Sequence, residues 1–291
     1  MRSSLTVLSA LASIALHAQY GTFDASAVKA AKATTTIVVL DAGDSPYNRT
    51  IMNAVKSEWK FTTAYEFVTV AELGTQPIDP AKTYLLKISK VDPVKFEATF
   101  LTLVRGWKQK KGEPLQQTNN VFTGIASEQE LAFIMIDPKA INEGNSAPML
   151  TVYIKHLQDY LKLVETGKIT DKATADRTYS TRTRLIRDTQ LLLAREQVDK
   201  SLPDAASIAV YYTSPNKLVG IADIIAAVEA QDRTSTVGDM LLTGDHKNKH
   251  CFKRVFNAGT GELMYLADDA AIFGKKEGFI DVDLKNLARA R

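Results

Sequence analysis

Cysteine is almost absent from this chain. Cys251 is the only cysteine among 291 residues, so one chain cannot form an internal disulfide and a disulfide-rich fold is excluded. Segment 251–256 has the composition of a strand, which favours a small buried side chain at Cys251. A redox role would need a lowered thiol pKa, and nearby Lys249 and His250 are the only sequence support for one.

The sequence also lacks the short motifs of the common enzyme classes. It has no G-x-S-x-G nucleophile motif, no Walker A motif, no G-x-G-x-x-G dinucleotide motif and no H-E-x-x-H zinc motif. We therefore assign no catalytic residues, and we expect no resident metal and no cofactor. A non-catalytic function is favoured, although the sequence leaves the question of enzymatic activity open.

Charge of one sign is not in excess. The formal net charge is +3, and the 45% of hydrophobic residues is ordinary for a soluble globular protein. The arginines between Arg177 and Arg187 could bind phosphate or nucleic acid. The flanking acids Asp176 and Asp188 favour a solvated helix face instead, so we expect no nucleic-acid partner.

Long apolar segments are missing except at the start. Arg2 precedes an apolar segment from Leu5 to Leu16, which is shorter than the roughly 20 residues of a membrane-spanning helix. The pattern is typical of a signal peptide, with a buried N-terminal helix as the alternative. We predict a signal peptide over residues 1–18, cleavage between Ala18 and Gln19, and export to the periplasm or the extracellular space. No transmembrane segment is expected in the mature chain.

Strand and helix patterns follow in the next part of the chain. The β-branched segment 35–40 predicts a strand that is covered on both faces. Ser45 and Pro46 predict the N-cap and first turn of a helix. Apolar segments predict further strands at 65–70, 84–88, 100–107 and 131–136. Together they predict an N-terminal α/β lobe over residues 19–140.

The rest of the chain predicts a helical middle and a second α/β lobe. Helical spacing from Met149 onward and over 175–200 predicts a helical hairpin within residues 141–202. Within residues 203–291 we predict strands at 208–212 and 240–242, a helix at 219–230, a hairpin of 252–256 with 263–266, and a last helix at 282–287. The fold class is thus α/β (or α+β), with two mixed-sheet lobes that flank a helical hairpin. The lobes share an order of elements that a duplication would produce.

The turn after the first strand holds the first candidate ligand residues. Asp41 follows the strand and Asp44 stands at the predicted helix start, where α/β sheets place ligand groups. Two carboxylates there could hold Mg²⁺. The alternative is a capping turn, since acidic residues are favoured at a helix start.

Two histidines form the second candidate. His246 and His250 are four residues apart, a spacing that would place both on one helix face as in zinc sites. The segment has the composition of a polar hairpin loop, and Lys247 and Lys249 would repel a cation. A solvated loop is therefore the simpler interpretation.

Three segments resemble uncharacterised exported proteins of Bacteroidota-type bacteria: residues 16–19, residues 47–73 around the core at 54–60, and the hairpin at 256–263. The resemblance covers most of the mature chain and implies a periplasmic or secreted location, without implying an activity or any functional residue.

These observations lead to two hypotheses. The first is an exported, non-catalytic protein that acts by binding or scaffolding, with a protein partner at the cell envelope as one option. The alternative is an exported metal-dependent hydrolase that uses Asp41 with Asp44, or His246 with His250.

Overall fold

The computed structural model describes residues 20–92, 95–109, 114–245 and 248–290. Two mixed sheets with helices packed around them form this part of the chain, which confirms the predicted α/β class with two lobes. The predicted signal peptide, with Ala18 and Gln19, lies outside the described residues.

The first sheet is built from β1 to β7, in the order β2-β1-β3-β4-β7, and a β5–β6 hairpin joins it through β3. Its strands are β1 Thr35–Leu40, β2 Ala64–Thr69, β3 Lys82–Asp92, β4 Phe96–Arg105, β5 Gln116–Thr118, β6 Val121–Thr123 and β7 Glu130–Ile136. As predicted, β1 is covered on both faces. Val38 lies in one apolar cluster, while Ile37 and Val39 lie in another on the opposite face.

The second sheet has the order β12-β11-β10-β8-β9. Its strands are β8 Gln190–Ala194, β9 Asn216–Val219, β10 Ser235–Thr243, β11 His250–Asn257 and β12 Leu263–Ala270.

The two sheets share one topology. In the first, β1 runs parallel to β2 and β3, while β4 is antiparallel to both of its neighbours. In the second, β8 runs parallel to β9 and β10, while β11 is antiparallel to both of its neighbours. The two sheets thus correspond, with β8 in the place of β1. The sequence predicts a strand at 208–212 in that place, so the predicted repeat is wrong in this part.

The helices connect and cover the strands. They are α1 Ala25–Lys32, α2 Pro46–Glu58, α3 Val70–Gly74, α4 Pro138–Asn142, α5 Met149–Glu165, α6 Lys172–Thr183, α7 Ala205–Ala209, α8 Ile221–Glu229 and α9 Asp281–Arg289. Helix α2 begins as predicted, because the Ser45 side chain accepts a hydrogen bond from the Asn48 backbone at 3.1 Å.

Two predicted elements are wrong. Helix α6 ends at Thr183, and the apolar residues at 190–194 form β8 instead of continuing a helix to residue 200. Residues 208–212, predicted as a strand, belong to the short helix α7 and the turn that follows it. A capping box between Asp204 and Ser207 stabilises the start of this helix. Short apolar segments suit either structure, and pairing of β8 with β9 and β10 decides the first case.

Apolar packing joins the lobes. Helix α5 lies in a cluster that includes Val38 from the first sheet and Val237 and Phe256 from the second. A second cluster brings Phe100 and Phe133 of the first sheet together with Phe252 of the second. These contacts bury surface from both lobes, so the two sheets stabilise each other.

Candidate functional site

Asp41 is engaged in a buried ion pair. Its side chain, at the end of β1, forms an ion pair with Lys87 of β3, and both are buried. The Lys87 ammonium lies 4.3 Å from the centroid of the buried Tyr47 ring. Burial lowers the pKa of Lys87, and Asp41 opposes this shift. Removing either partner of such a buried pair would leave an uncompensated charge, so the pair has a structural role.

Asp44 has a different environment. It is largely exposed and pairs with Arg49 at 2.5 Å. Each of the two carboxylates is thus paired with a cation of its own, Asp41 in the interior and Asp44 at the surface. Ser45 is the side chain that caps α2, so capping does not explain Asp41 either.

The turn that carries Asp41 is held by Asn48. Its side-chain oxygen accepts a hydrogen bond from the Asp41 backbone at 2.7 Å, and its amide donates to the Gly43 carbonyl at 2.7 Å. Gly43 has a φ of 76°, a conformation that glycine adopts without strain. These bonds pair the backbone amide of Asp41 and the carbonyl of Gly43. The buried Asp41–Lys87 ion pair also connects the turn to β3.

Only one of the two candidate histidines lies within the described residues. His246 lies outside the described residues, and His250 begins β11 with a half-buried side chain. Among the residues at 20–92, 95–109, 114–245 and 248–290, no three His, Cys, Asp or Glu side chains are close enough together to hold a metal ion.

Cys251 is fully buried in β11. Burial raises the pKa of its thiol to about 12. The thiol therefore stays protonated at neutral pH, which removes the chemical basis for a reactive cysteine.

The arginines at 177–187 do not form one stripe. Helix α6 ends at Thr183, so Arg184 and Arg187 lie in the following 3-10 turn. Arg182 makes two hydrogen bonds to Asp159, at 2.5 and 3.0 Å, and is largely buried. Its fork geometry serves this internal carboxylate.

A groove of about 390 Å³ lies between α6 and α9, against the outer strand β12. Its volume is within the range of small-molecule sites. The residues that matter for its chemistry are Tyr20, Tyr179, Ser180, Tyr265, Asn286 and Arg289.

Tyr179 gives the groove an unused donor. The residue is only 4% exposed, and its buried hydroxyl has no hydrogen-bond partner among the described residues. Burial raises the pKa of Tyr179 well above its usual value, so the hydroxyl keeps its proton. A buried donor without an acceptor costs about 1–3 kcal/mol.

The other tyrosines of the groove already have partners. The Tyr20 ring stacks on the Tyr179 ring, with centroids 5.8 Å apart and planes 7° apart. The Tyr20 hydroxyl donates to Asp176 at 2.6 Å, and the Tyr265 hydroxyl donates to Asp283 at 2.7 Å. Both bonds fix the walls, and of these three tyrosines only Tyr179 has a hydroxyl without a hydrogen-bond partner among the described residues.

The rim of the groove carries further donors. Ser180, Asn286 and Arg289 are exposed and line it. Arg289 stands in the last turn of α9, and its guanidinium suits a carboxylate or phosphate in a two-point contact. Neither Tyr179 nor Arg289 was predicted as a site residue, because no local motif marks them and only tertiary packing places them together.

A second cavity, of about 470 Å³, lies beside β2 and α3. Its polar side chains are used within the protein: Glu66 pairs with Lys82 at 3.3 Å, and Glu72 accepts from the Thr69 backbone at 2.6 Å.

Comparison of the chain with protein-family models, with curated proteins and with solved structures finds no match. The resemblance to exported Bacteroidota-type proteins stays a prediction. Within the described part of the chain, no helix has both the length and the apolar character that a membrane span requires.

Proposed function

We propose that this protein is an exported, non-catalytic binding protein that holds a small carboxylate-bearing molecule in the α6–α9 groove. The observation that carries the proposal is the buried, unpartnered hydroxyl of Tyr179 at that groove. A carboxylate accepts from a phenol and from a guanidinium, so Tyr179 and Arg289 suit the same ligand group.

The proposed export depends on residues 1–18, whose pattern is typical of a signal peptide. N-terminal sequencing of the protein from the native cell tests it. We expect the exported form to begin at Gln19, and a protein that retains Met1 would contradict export.

The hydrolase alternative gains no support from Asp41 and Asp44. A metal-binding carboxylate pair needs both groups free to coordinate. Asp41 is neutralised by buried Lys87, and Asp44 pairs with Arg49 at the surface. A binding function is therefore the better explanation of the described residues.

Titration calorimetry with succinate, glutamate and galacturonate tests the groove, with succinamide as the uncharged comparison. We expect at least one acid to bind the mature protein and succinamide not to bind. Tyr179→Phe removes a hydrogen bond to a charged group, worth about 1.5–3 kcal/mol, so the Kd should rise about 10- to 100-fold.

Tyr212→Phe is the matched control, because Tyr212 is a buried tyrosine of the second lobe that does not line the groove. Its Kd should equal that of the unmodified protein. Unchanged binding in Tyr179→Phe, or no binding of any of the three acids, would contradict the proposed site.

A further inference from the structure

The loop between β12 and α9 presents an aromatic side chain to solvent. Phe273 is 82% exposed, and its neighbour Ile272 is 37% exposed. Phe273 has φ 57° and ψ 37°, the left-handed region that bulky side chains rarely adopt. Both the exposure of the apolar ring to water and the left-handed backbone of Phe273 cost free energy in the folded chain. A residue that carries both costs points to a role outside the folding of this chain.

The stem of this loop is fixed. The Ala271 backbone donates to the Lys249 carbonyl at 2.8 Å, and the Phe279 backbone donates to the Gln197 carbonyl at 2.8 Å. Lys249 also forms an ion pair with Glu277 at 2.6 Å. These contacts hold both ends of the loop against the second lobe, so Phe273 is presented on a rigid support.

Two exposed lysines lie at the same loop tip. Lys275 is exposed, as is Lys200, whose ammonium lies close to Gly274. Neither lysine forms an ion pair with a described residue. Lys276, in contrast, is paired with Asp269 at 3.2 Å. The tip of the loop thus combines an apolar ring with two unneutralised positive charges.

We propose that this tip, Ile272 and Phe273 with Lys200 and Lys275, docks the protein onto an anionic lipid surface. An aromatic side chain reaches into the region between headgroups and acyl chains, while lysines attract anionic headgroups and keep their ammonium groups in water. A protein partner fits less well, because lysine is depleted at protein interfaces and a protein interface needs a wide apolar centre.

Co-sedimentation of the mature protein with vesicles tests this inference. The vesicles contain phosphatidylcholine alone, or phosphatidylcholine with about 30% phosphatidylglycerol, a content high enough to give a strongly negative surface potential. We expect binding to the anionic vesicles only, and we expect 0.5 M salt to abolish it, because the attraction is screened over a few ångströms at such ionic strength.

Two variants locate the contact. Phe273→Asn removes the ring and suits the left-handed backbone, so the loop should keep its shape; we expect the bound fraction to fall at least fivefold. The double variant Lys200→Gln with Lys275→Gln should lower binding to a similar extent while sparing the apolar contact.

Val210→Ser is the matched control, because Val210 is also strongly exposed but lies after α7 and outside this loop. It should bind the anionic vesicles as the unmodified protein does. Equal binding by Phe273→Asn, absence of binding by the unmodified protein, or capture of a protein partner through Phe273 without lipid binding would each overturn the proposal. None of these outcomes involves the α6–α9 groove, so the two proposals fail separately.

Discussion

Buried charges in this protein are paired over long distances in the chain. Lys253 of β11 is fully buried and contacts Asp269 and Asp283, each at 2.5 Å. Lys87 and Asp41 form a similar pair between β3 and the end of β1. Removal of one member of such a pair leaves an uncompensated buried charge, which is far more costly than the pair itself is stabilising.

Asp41→Ala is therefore expected to destabilise the protein by about 3–5 kcal/mol, because it leaves the Lys87 ammonium buried without a partner. Urea denaturation measures this loss. Asp44→Ala is the matched control and should cost less than about 1 kcal/mol, because the Asp44–Arg49 pair is exposed. Equal losses in the two variants would contradict a structural role of the buried pair.

His156 predicts a pH dependence of stability. The ring is buried, and burial lowers the pKa of His156 to about 4; Asp159 opposes this shift, while Arg254 and Arg182 add to it. In the unfolded chain this histidine takes up a proton near pH 6.5, whereas in the folded protein it stays neutral down to about pH 4. The contribution of His156 to the free energy of unfolding is therefore complete above pH 6.5 and is lost as the pH falls toward 4. The loss is on the order of 3 kcal/mol.

Unfolding free energies measured between pH 7 and pH 4 test this expectation. His156→Gln lacks the titrating group and should show a flatter profile across that window. A profile as steep as that of the unmodified protein would assign the pH dependence to other groups.

At the scale of single elements, local patterns predict the start of α2 and the β11–β12 hairpin correctly, whereas they miss β8 and α7. Cap and turn residues act on their immediate neighbours, so the sequence around them contains the relevant information. Residues 190–194 carry no comparable signal, because only their pairing with distant strands distinguishes a strand from a continued helix.

The β11–β12 turn provides a test at this scale. Gly261 has φ 70°, and a Cβ placed there would lie 2.3 Å from the Lys155 Cβ of α5. Gly261→Ala should lower the free energy of unfolding by at least about 1 kcal/mol beyond the cost of placing an alanine in the left-handed conformation, because α5 would have to shift. Thermal unfolding measures the difference.

Gly43→Ala is the control for Gly261→Ala. Gly43 has a similar φ of 76°, but a Cβ there meets nothing within 4 Å. It should therefore show only the backbone cost of about 1–2 kcal/mol. Equal changes in Tm for the two variants would show that α5 can move away from the added methyl group at little cost.

At the scale of the whole molecule, a buried polar network crosses between the lobes. Arg254 of β11 donates to Asp239 of β10 at 2.8 Å and to the Met135 carbonyl of β7 at 2.8 Å. The Tyr153 hydroxyl of α5 also donates to Asp239, at 3.1 Å. A single guanidinium thus connects the outer strand of the first sheet to the second sheet, and apolar clusters surround it.

Arg254→Met should therefore destabilise the protein by about 3–5 kcal/mol, because Asp239 loses its buried cation and Met135 loses a donor. Both tryptophans, Trp59 and Trp107, lie in the first lobe. Because Arg254 joins the lobes, tryptophan fluorescence and far-UV circular dichroism should show the same reduced midpoint. A shift in the dichroism alone would show that Arg254 stabilises only its own lobe.

The sequence by itself determined the elements whose causes are local: the two-sided burial of β1, the capped start of α2 and the glycine turn of the last hairpin. The shared strand order of the two sheets depends on β8, which the sequence did not predict. The domain boundaries at residues 140 and 202 stay predictions. The tertiary structure alone decided that β8 is a strand, that Asp41 pairs with Lys87, and that Tyr179 and Arg289 line the same groove. Caps and periodicity act over a few residues, whereas ion pairs and grooves depend on which distant strands and helices pack together.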